Sequence, residues 1–208
     1  EGGSACTFDG TNDYVDMGDV NAFEFTGAYS LEIVFKKASA PGAIQRLMHK
    51  YANGATTGWR VLVNTNGTIE LIHRNAAGSA DAFALATTGS QTNDTWRHIV
   101  FTWDGTTAAN GVKVYVNGTL DNQATASTAS VSAAATTAFR IGTSDVPADY
   151  LAASLDEVAL YNALLSAASV SAHHAARAWT DVSADLVASK ELTWGRGING
   201  EGPTDRVA

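Results

Sequence analysis

Six residues have the side-chain types that hold sugars: Tyr51, Trp59, Arg60, His73, Arg74 and Tyr150. Aromatic faces stack on pyranose rings, and a few placed polar groups fix the hydroxyls. The same aromatics also suit the interior of a β-sandwich, so ligand contact and packing both stand as readings. Hydrolysis of a glycosidic bond needs two carboxylates facing each other across a cleft. The Glu-x-Asp-x-x-Glu strand pattern that would supply them is absent, as are a Gly-x-Ser-x-Gly elbow, a phosphate-binding Walker loop and a His-Glu-x-x-His helix. The chain is therefore expected not to be an enzyme. Of the histidines, His173 and His174 are helix neighbours that point apart and read as surface residues. His98 lies within an apolar strand and reads as a satisfied interior group, whereas His49 and His73 stay open as ligand contacts. Cys6 is the only cysteine, which rules out an internal disulfide; beside Phe8 it reads as a small buried apolar residue.

These residues need strands to position them, and the sequence supplies strands. Tyr29, Leu31, Ile33 and Phe35 alternate with Ser30, Glu32, Val34 and Lys36, the period-two pattern of a strand with one face on a core. Strand patterns at 59–63 and 68–74 flank Asn66-Gly67, and Val112, Val114 and Val116 run into Asn117-Gly118; both dipeptides favour tight hairpins. They also fall in Asn-x-Thr triplets, for which backbone geometry is sufficient reason, so no glycans are expected on them. Further strands are read at 96–103, 139–142 and 155–161, with a loop at 143–153. The period then changes, and 164–178 reads as an Ala-rich helix capped by Ser166. The Ala-Thr-Ser-rich stretch 124–138 reads as an exposed strand with its loop. The ten residues from Trp194 to Pro203 hold four glycines and a proline and read as a junction.

Four stretches, in this order, carry a resemblance: Phe8-Asp9-Gly10-Thr11-Asn12-Asp13-Tyr14-Val15, Trp96-Arg97-His98-Ile99-Val100-Phe101-Thr102-Trp103-Asp104-Gly105, Val114-Tyr115-Val116-Asn117-Gly118 and Leu155-Asp156-Glu157-Val158-Ala159-Leu160-Tyr161-Asn162. Together they resemble the laminin-G-like, concanavalin-A-like jelly-roll family, to which pentraxins are similar in architecture. The implied fold class is all-β: a two-sheet antiparallel jelly-roll sandwich over residues 1–178, with a short C-terminal helix. An extended tail, 179–208, would be a linker or the start of a following domain. The resemblance also implies that the N- and C-terminal strands pair, bringing the Asp9 loop near Asp156. Asp9, the Gly10 carbonyl, Asn12 and Asp156 would then offer the oxygen ligands that Ca2+ prefers. The alternative is that Asp9, Asn12 and Asp13 make Asx-type turns. Residues 194–208 are similar to a segment that opens a domain in bacteriophage tail proteins.

Charge narrows the partners. With 21 acidic and 13 basic residues the net charge is −8, which disfavours nucleic acid. No run approaches the roughly 18 apolar residues that cross a bilayer. The expected function is a non-catalytic carbohydrate-recognition or adhesion module on a virion tail or other extracellular protein, stabilised by Ca2+ and oligomeric within its assembly. Its partner would be a cell-surface glycan. The alternative is a structural or decoration module that contacts other virion proteins without binding a glycan.

Overall fold

The computed structural model describes residues 5–52, 56–133 and 136–177. In chain order the strands are β1 (Cys6–Asp9), β2 (Val15–Asp16), β3 (Tyr29–Lys37), β4 (Gln45–Ala52), β5 (Thr57–Val63), β6 (Ile69–Arg74), β7 (Asp81–Ala86), β8 (Arg97–Trp103), β9 (Val112–Val116), β10 (Thr119–Ala124), β11 (Arg140–Ile141) and β12 (Ala152–Tyr161), followed by helix α1 (Ala167–Arg177). They form two six-stranded sheets, β1-β12-β3-β8-β9-β10 (sheet A) and β2-β11-β4-β5-β6-β7 (sheet B). All the strand pairings are antiparallel. This is the expected jelly-roll sandwich. No helix among the described residues is long and apolar enough to cross a membrane.

The core follows from strand alternation. Tyr29, Leu31, Ile33 and Phe35 of β3 face inward with Ile99, Phe101 and Trp103 of β8. From sheet B they meet Trp59, Val61, Val63, Ile69 and Leu71. Burying each such side chain contributes about 1.5–3 kcal/mol, so a layer of this size can carry the fold without a disulfide. The Asn117-Gly118 hairpin forms as expected, with both residues at positive φ (50° and 77°) between Val116 and its partner Thr119. The Asn66-Gly67 turn is longer than a two-residue hairpin. The Gly67 N–H donates to the Asn64 carbonyl at 2.8 Å, and Gly67 alone of the pair takes positive φ.

Sheet A is buried on its outer face as well, because α1 lies across it. Val100, Tyr115 and Val170 form a second apolar cluster there, with Leu165 against it. The Ser169 N–H donates to the Ser166 hydroxyl at 3.0 Å, the cap read from the sequence. His173 and His174 are half-buried rather than free surface residues. His173 Nδ1 lies 2.9 Å from Glu32 Oε2, and the His174 ring stacks on His98 at 5.7 Å, because α1 rests on the sheet along the line between them. Cys6 also departs from expectation: it is exposed. It shares the face of Phe8 but sits at the open edge of β1, bordering a cleft of about 220 Å³ lined by Phe8, Val15, Ile141, Leu155 and Val158. The C-terminal segment read as phage-tail-like lies outside the described residues.

Candidate functional site

The outer face of sheet B gathers cations. Strand β4 carries a bulge between Arg46 and Met48, so Leu47 and Met48 both enter the core. Beyond the bulge, Lys50 turns inward to Asp19, Glu24 and the Thr137 carbonyl, leaving His49 and Tyr51 on the outer face. Register then builds a cross-strand row on that face: Asp16, Arg140, His49, Arg60, Ile72 and Ala84. Arg46 heads the neighbouring row, opposite Leu62.

Two of the three arginines near His49 are held by acids. Arg46 Nη2 lies 2.9 Å from Asp149 Oδ2, and Arg140 Nε lies 2.9 Å from Asp16 Oδ2. Arg140 also donates to the carbonyls of Ser144 and Asp145, so these two arginines tie the 143–149 loop to the face. Arg60 differs. Its guanidinium sits 4.3 Å from the centroid of the Tyr51 ring, and among the described residues no carboxylate pairs with it.

His49 is fully buried beneath this group. Burial pushes its pKa down to about 3, and repulsion from Arg46 and Arg60 adds to the shift, so the imidazole is neutral near pH 7. The Tyr51 backbone lies close enough to offset a little of this, yet neither ring nitrogen completes a hydrogen bond. The Nε atoms of Arg46 and Arg60 are likewise buried without a partner. Buried polar groups normally find partners, and leaving one unmade costs about 1–3 kcal/mol. Unsatisfied donors thus lie just beneath this face, under the half-exposed Arg60.

The six sequence-read ligand residues separate on this structure. Arg60 and Tyr51 come together, but Tyr51 is covered by Arg60 and its ring is not free to stack on a sugar. Trp59 and His73 are corrected outright. Period two turns both into the core, where Trp59 Nε1 donates to the Phe23 carbonyl at 2.8 Å. His73 lies between the Tyr29 hydroxyl (3.1 Å) and the Ser132 carbonyl (3.2 Å). Because a carbonyl only accepts, Nε2 carries the proton and Nδ1 accepts from Tyr29. Burial depresses the His73 pKa to about 4. Arg74 lies on the outer side but is occupied by Asp81 (2.6 Å) and the carbonyls of Gly78 and Thr56. Tyr150 stands at the rim, its ring 6.4 Å from that of exposed Tyr14. Arg46, Arg140 and Tyr14 were not singled out from the sequence; the signal for Arg46 was hidden by the bulge.

The proposed calcium ligands do not converge. β1 and β12 do pair, as expected, but Asp9 faces Ala152, leaving Asp156 four residues farther along β12. At strand rise that is about 13 Å. Asp9 Oδ1 instead accepts from the Thr11 N–H at 2.7 Å, and Asp13 Oδ2 from the Asp9 N–H at 3.0 Å, the local turn geometry that was the alternative. Asp156 Oδ1 accepts from the Glu157 N–H at 2.9 Å. Among the described residues no group of three or more His, Cys, Asp or Glu side chains is placed to hold a metal ion. Asp9, Gly10, Asn12 and Asp156 therefore do not fit as one ion's coordination shell.

Residues 9–171 match the laminin-G-type family model described as the concanavalin A-like lectin/glucanases superfamily. The chain belongs to that superfamily. No curated relative matches this concanavalin A-like chain in sequence. Solved structures share its fold. The Ruminococcus gnavus IT-sialidase CBM40 bound to alpha2,3 sialyllactose is 14% identical, with a TM-score of 0.60 over 82% of this chain and 98% of that one. The receptor binding domain of botulinum neurotoxin mosaic serotype C/D is 13% identical, with a TM-score of 0.61 over 82% of this chain and 41% of that one. A heptameric SAP-like pentraxin from Limulus polyphemus is 14% identical, with a TM-score of 0.53 over 79% of this chain and 78% of that one.

Proposed function

We propose that this chain is a non-catalytic glycan-recognition module and that its ligand lies on the arginine-bearing face of sheet B. The observation that carries this reading is Arg60, a cation with no acid partner among the described residues, held over Tyr51 above the buried His49. Exposed Tyr14, with Tyr150 beside it, supplies the aromatic rim on which a sugar ring can rest. Membership of a superfamily of lectins and glucanases supports the reading, as does the likeness to a module bound to sialyllactose. The acids beside His49, Asp16 and Asp149, are each engaged by an arginine, which suits binding rather than general acid–base work.

Display on a virion tail or another extracellular assembly belongs to the same proposal; its support is the resemblance carried by residues 194–208. The likeness to a heptameric pentraxin favours several copies acting together, where weak single sites gain avidity.

A glycan array probed with folded protein and with Arg60→Ala tests the reading. Hits that disappear in the variant support it, and an array without hits refutes it. The second outcome would favour a structural or decoration module. Exposed Tyr14, Val15 and Met17, grouped around edge strand β2, are the surface through which such a module would dock on a neighbour.

A further inference from the structure

We infer that the sugar this face takes carries a carboxylate, which pairs with the half-exposed Arg60 guanidinium above the buried His49; the inference rests on the glycan-recognition reading above. It starts from a contrast. The protein is acidic overall, with a net charge of −8, yet this face places Arg46, Arg60 and Arg140 around a single buried histidine. Arg46 and Arg140 are each tethered to an acid and to the backbone of the 143–149 loop, which fixes them in place. Among the described residues Arg60 has no acid partner, and its Nε is unpartnered.

His49 supplies the independent observation. It is a polar side chain with no exposed surface, and among the described residues neither ring nitrogen completes a hydrogen bond, although the Tyr51 backbone lies close. A neutral imidazole has one N–H to donate, and Arg60 offers a planar fork of donors. A carboxylate accepts from that fork, and Arg–carboxylate geometry is the strong, directional form of such a bond; the buried imidazole beneath would feel its charge. A sugar hydroxyl could satisfy one donor but would leave the mutual repulsion of the arginines untouched. A negative charge relieves it. The charged groups facing His49 are Arg46 on its own strand, Arg60 on β5 and Arg140 on β11, and Asp149 and Asp16 compensate only the first and the last. A sulfate ester would present the same charge with a different shape, so the probes must separate the two.

The test is calorimetric titration, with NMR of the His49 ring, using N-acetylneuraminic acid, its methyl ester, glucuronic acid, a 6-sulfated galactose and lactose. The acids are expected to bind, the ester to bind about tenfold more weakly, and Arg60→Ala to weaken the acids about 10- to 100-fold, the worth of one charge-assisted hydrogen bond. Arg60→Lys keeps the charge without the fork and should fall between. The His49 ring signals should shift on binding, and its pKa should rise in the complex. Circular dichroism checks that each variant is folded. If acid and ester bind equally, if only the sulfated sugar binds, or if Arg60→Ala leaves acid binding unchanged, the carboxylate inference is overturned. In the case where neutral sugars bind and Arg60→Ala weakens them, glycan recognition itself survives. If no sugar of either charge binds, the glycan reading falls with it.

Discussion

Arg177, in the last turn of α1, meets Glu32 Oε1 at 2.6 Å across the outer face of sheet A. Glu32 is the buried carboxylate of β3, and it also faces His98 Nε2 at 2.8 Å, His173 Nδ1 at 2.9 Å and the Tyr161 hydroxyl at 2.9 Å. Strands β3, β8 and β12 and helix α1 thus share one acceptor. Burial alone would raise its pKa, but hydrogen bonds from His98, His173 and Tyr161 outweigh that and bring it to about 2.

Glu32→Gln should therefore release α1. The amide keeps the shape but loses the charge that several donors share, at a cost of about 3 kcal/mol. In a domain of this size that lowers Tm by about 6–12 °C. Hydrogen exchange is the sharper measurement: amides of 170–177 should lose protection in the variant while those of β3 keep most of theirs. Unchanged protection of α1 would mean that the Val100–Tyr115–Val170 contact docks the helix without the carboxylate. The acid limb has a definite sign. A carboxylate depressed from 4.5 to about 2 contributes fully above pH 4.5, and its contribution is lost as pH falls through 2.

Calcium should not stabilise this domain through Asp9 and Asp156. With Asp9 opposite Ala152, those two carboxylates cannot share an ion. Thermal scans with millimolar calcium and with chelator should superimpose, for the native chain and for Asp156→Ala alike. A calcium-dependent rise in midpoint that Asp156→Ala removes would show that the register is wrong.

The sandwich was legible from the sequence because its strongest strands keep strict alternation: β3, β8 and β9 begin or end within two residues of where period two places them. The site was far less legible because its central strand hides itself. β4 reads Gln-Arg-Leu-Met-His-Lys-Tyr-Ala, in which a bulge puts two adjacent apolar residues into the core and Lys50 then points inward like a hydrophobe. Neither event shows as period two. Arg140 lies in a strand of only two residues, too short for any pattern. Trp59 and His73 were attractive as ligand contacts by type alone, and only the registered pair they form, on the inner face, shows that they pack. Strand pairing of the two ends followed from the family resemblance, but register did not, and register decides whether Asp9 meets Asp156.

Lys50 offers a test of that inward turn. Its ammonium is sealed from solvent, 2.7 Å from Asp19 Oδ1 and 2.5 Å from the Thr137 carbonyl, with its stem in the sandwich. Lys50→Ala removes both the stem and the charge and should cost about 2–4 kcal/mol in urea unfolding. Lys50→Met keeps the stem volume, and Asp19, being partly exposed, can rehydrate; the cost should be about 1–2 kcal/mol. If methionine proves no better than alanine, the charge rather than the packing dominates at this position.

The two buried histidines should govern stability in mild acid, in a window that opens about two pH units above that of Glu32. His73 is depressed to about 4 and His49 to about 3, in both cases chiefly by burial, from an ordinary value of 6.5. As pH falls below 6.5 the unfolded chain binds protons that the folded chain refuses, so folded stability declines. Each histidine contributes a slope of up to about 1.4 kcal/mol per pH unit, and the pair about twice that, until pH nears 4. Above pH 7 both contributions are complete and the dependence vanishes. His73→Phe forfeits the bonds to Tyr29 and Ser132, so it lowers stability at every pH, but it also removes one titrating group from the core. Urea midpoints measured from pH 4.5 to 7.5 should therefore give the variant a lower curve with a shallower slope than the native one. A variant curve parallel to the native one would mean that His73 is protonated in the folded core, with Nδ1–H donating to the Tyr29 hydroxyl and Nε2–H still donating to the Ser132 carbonyl.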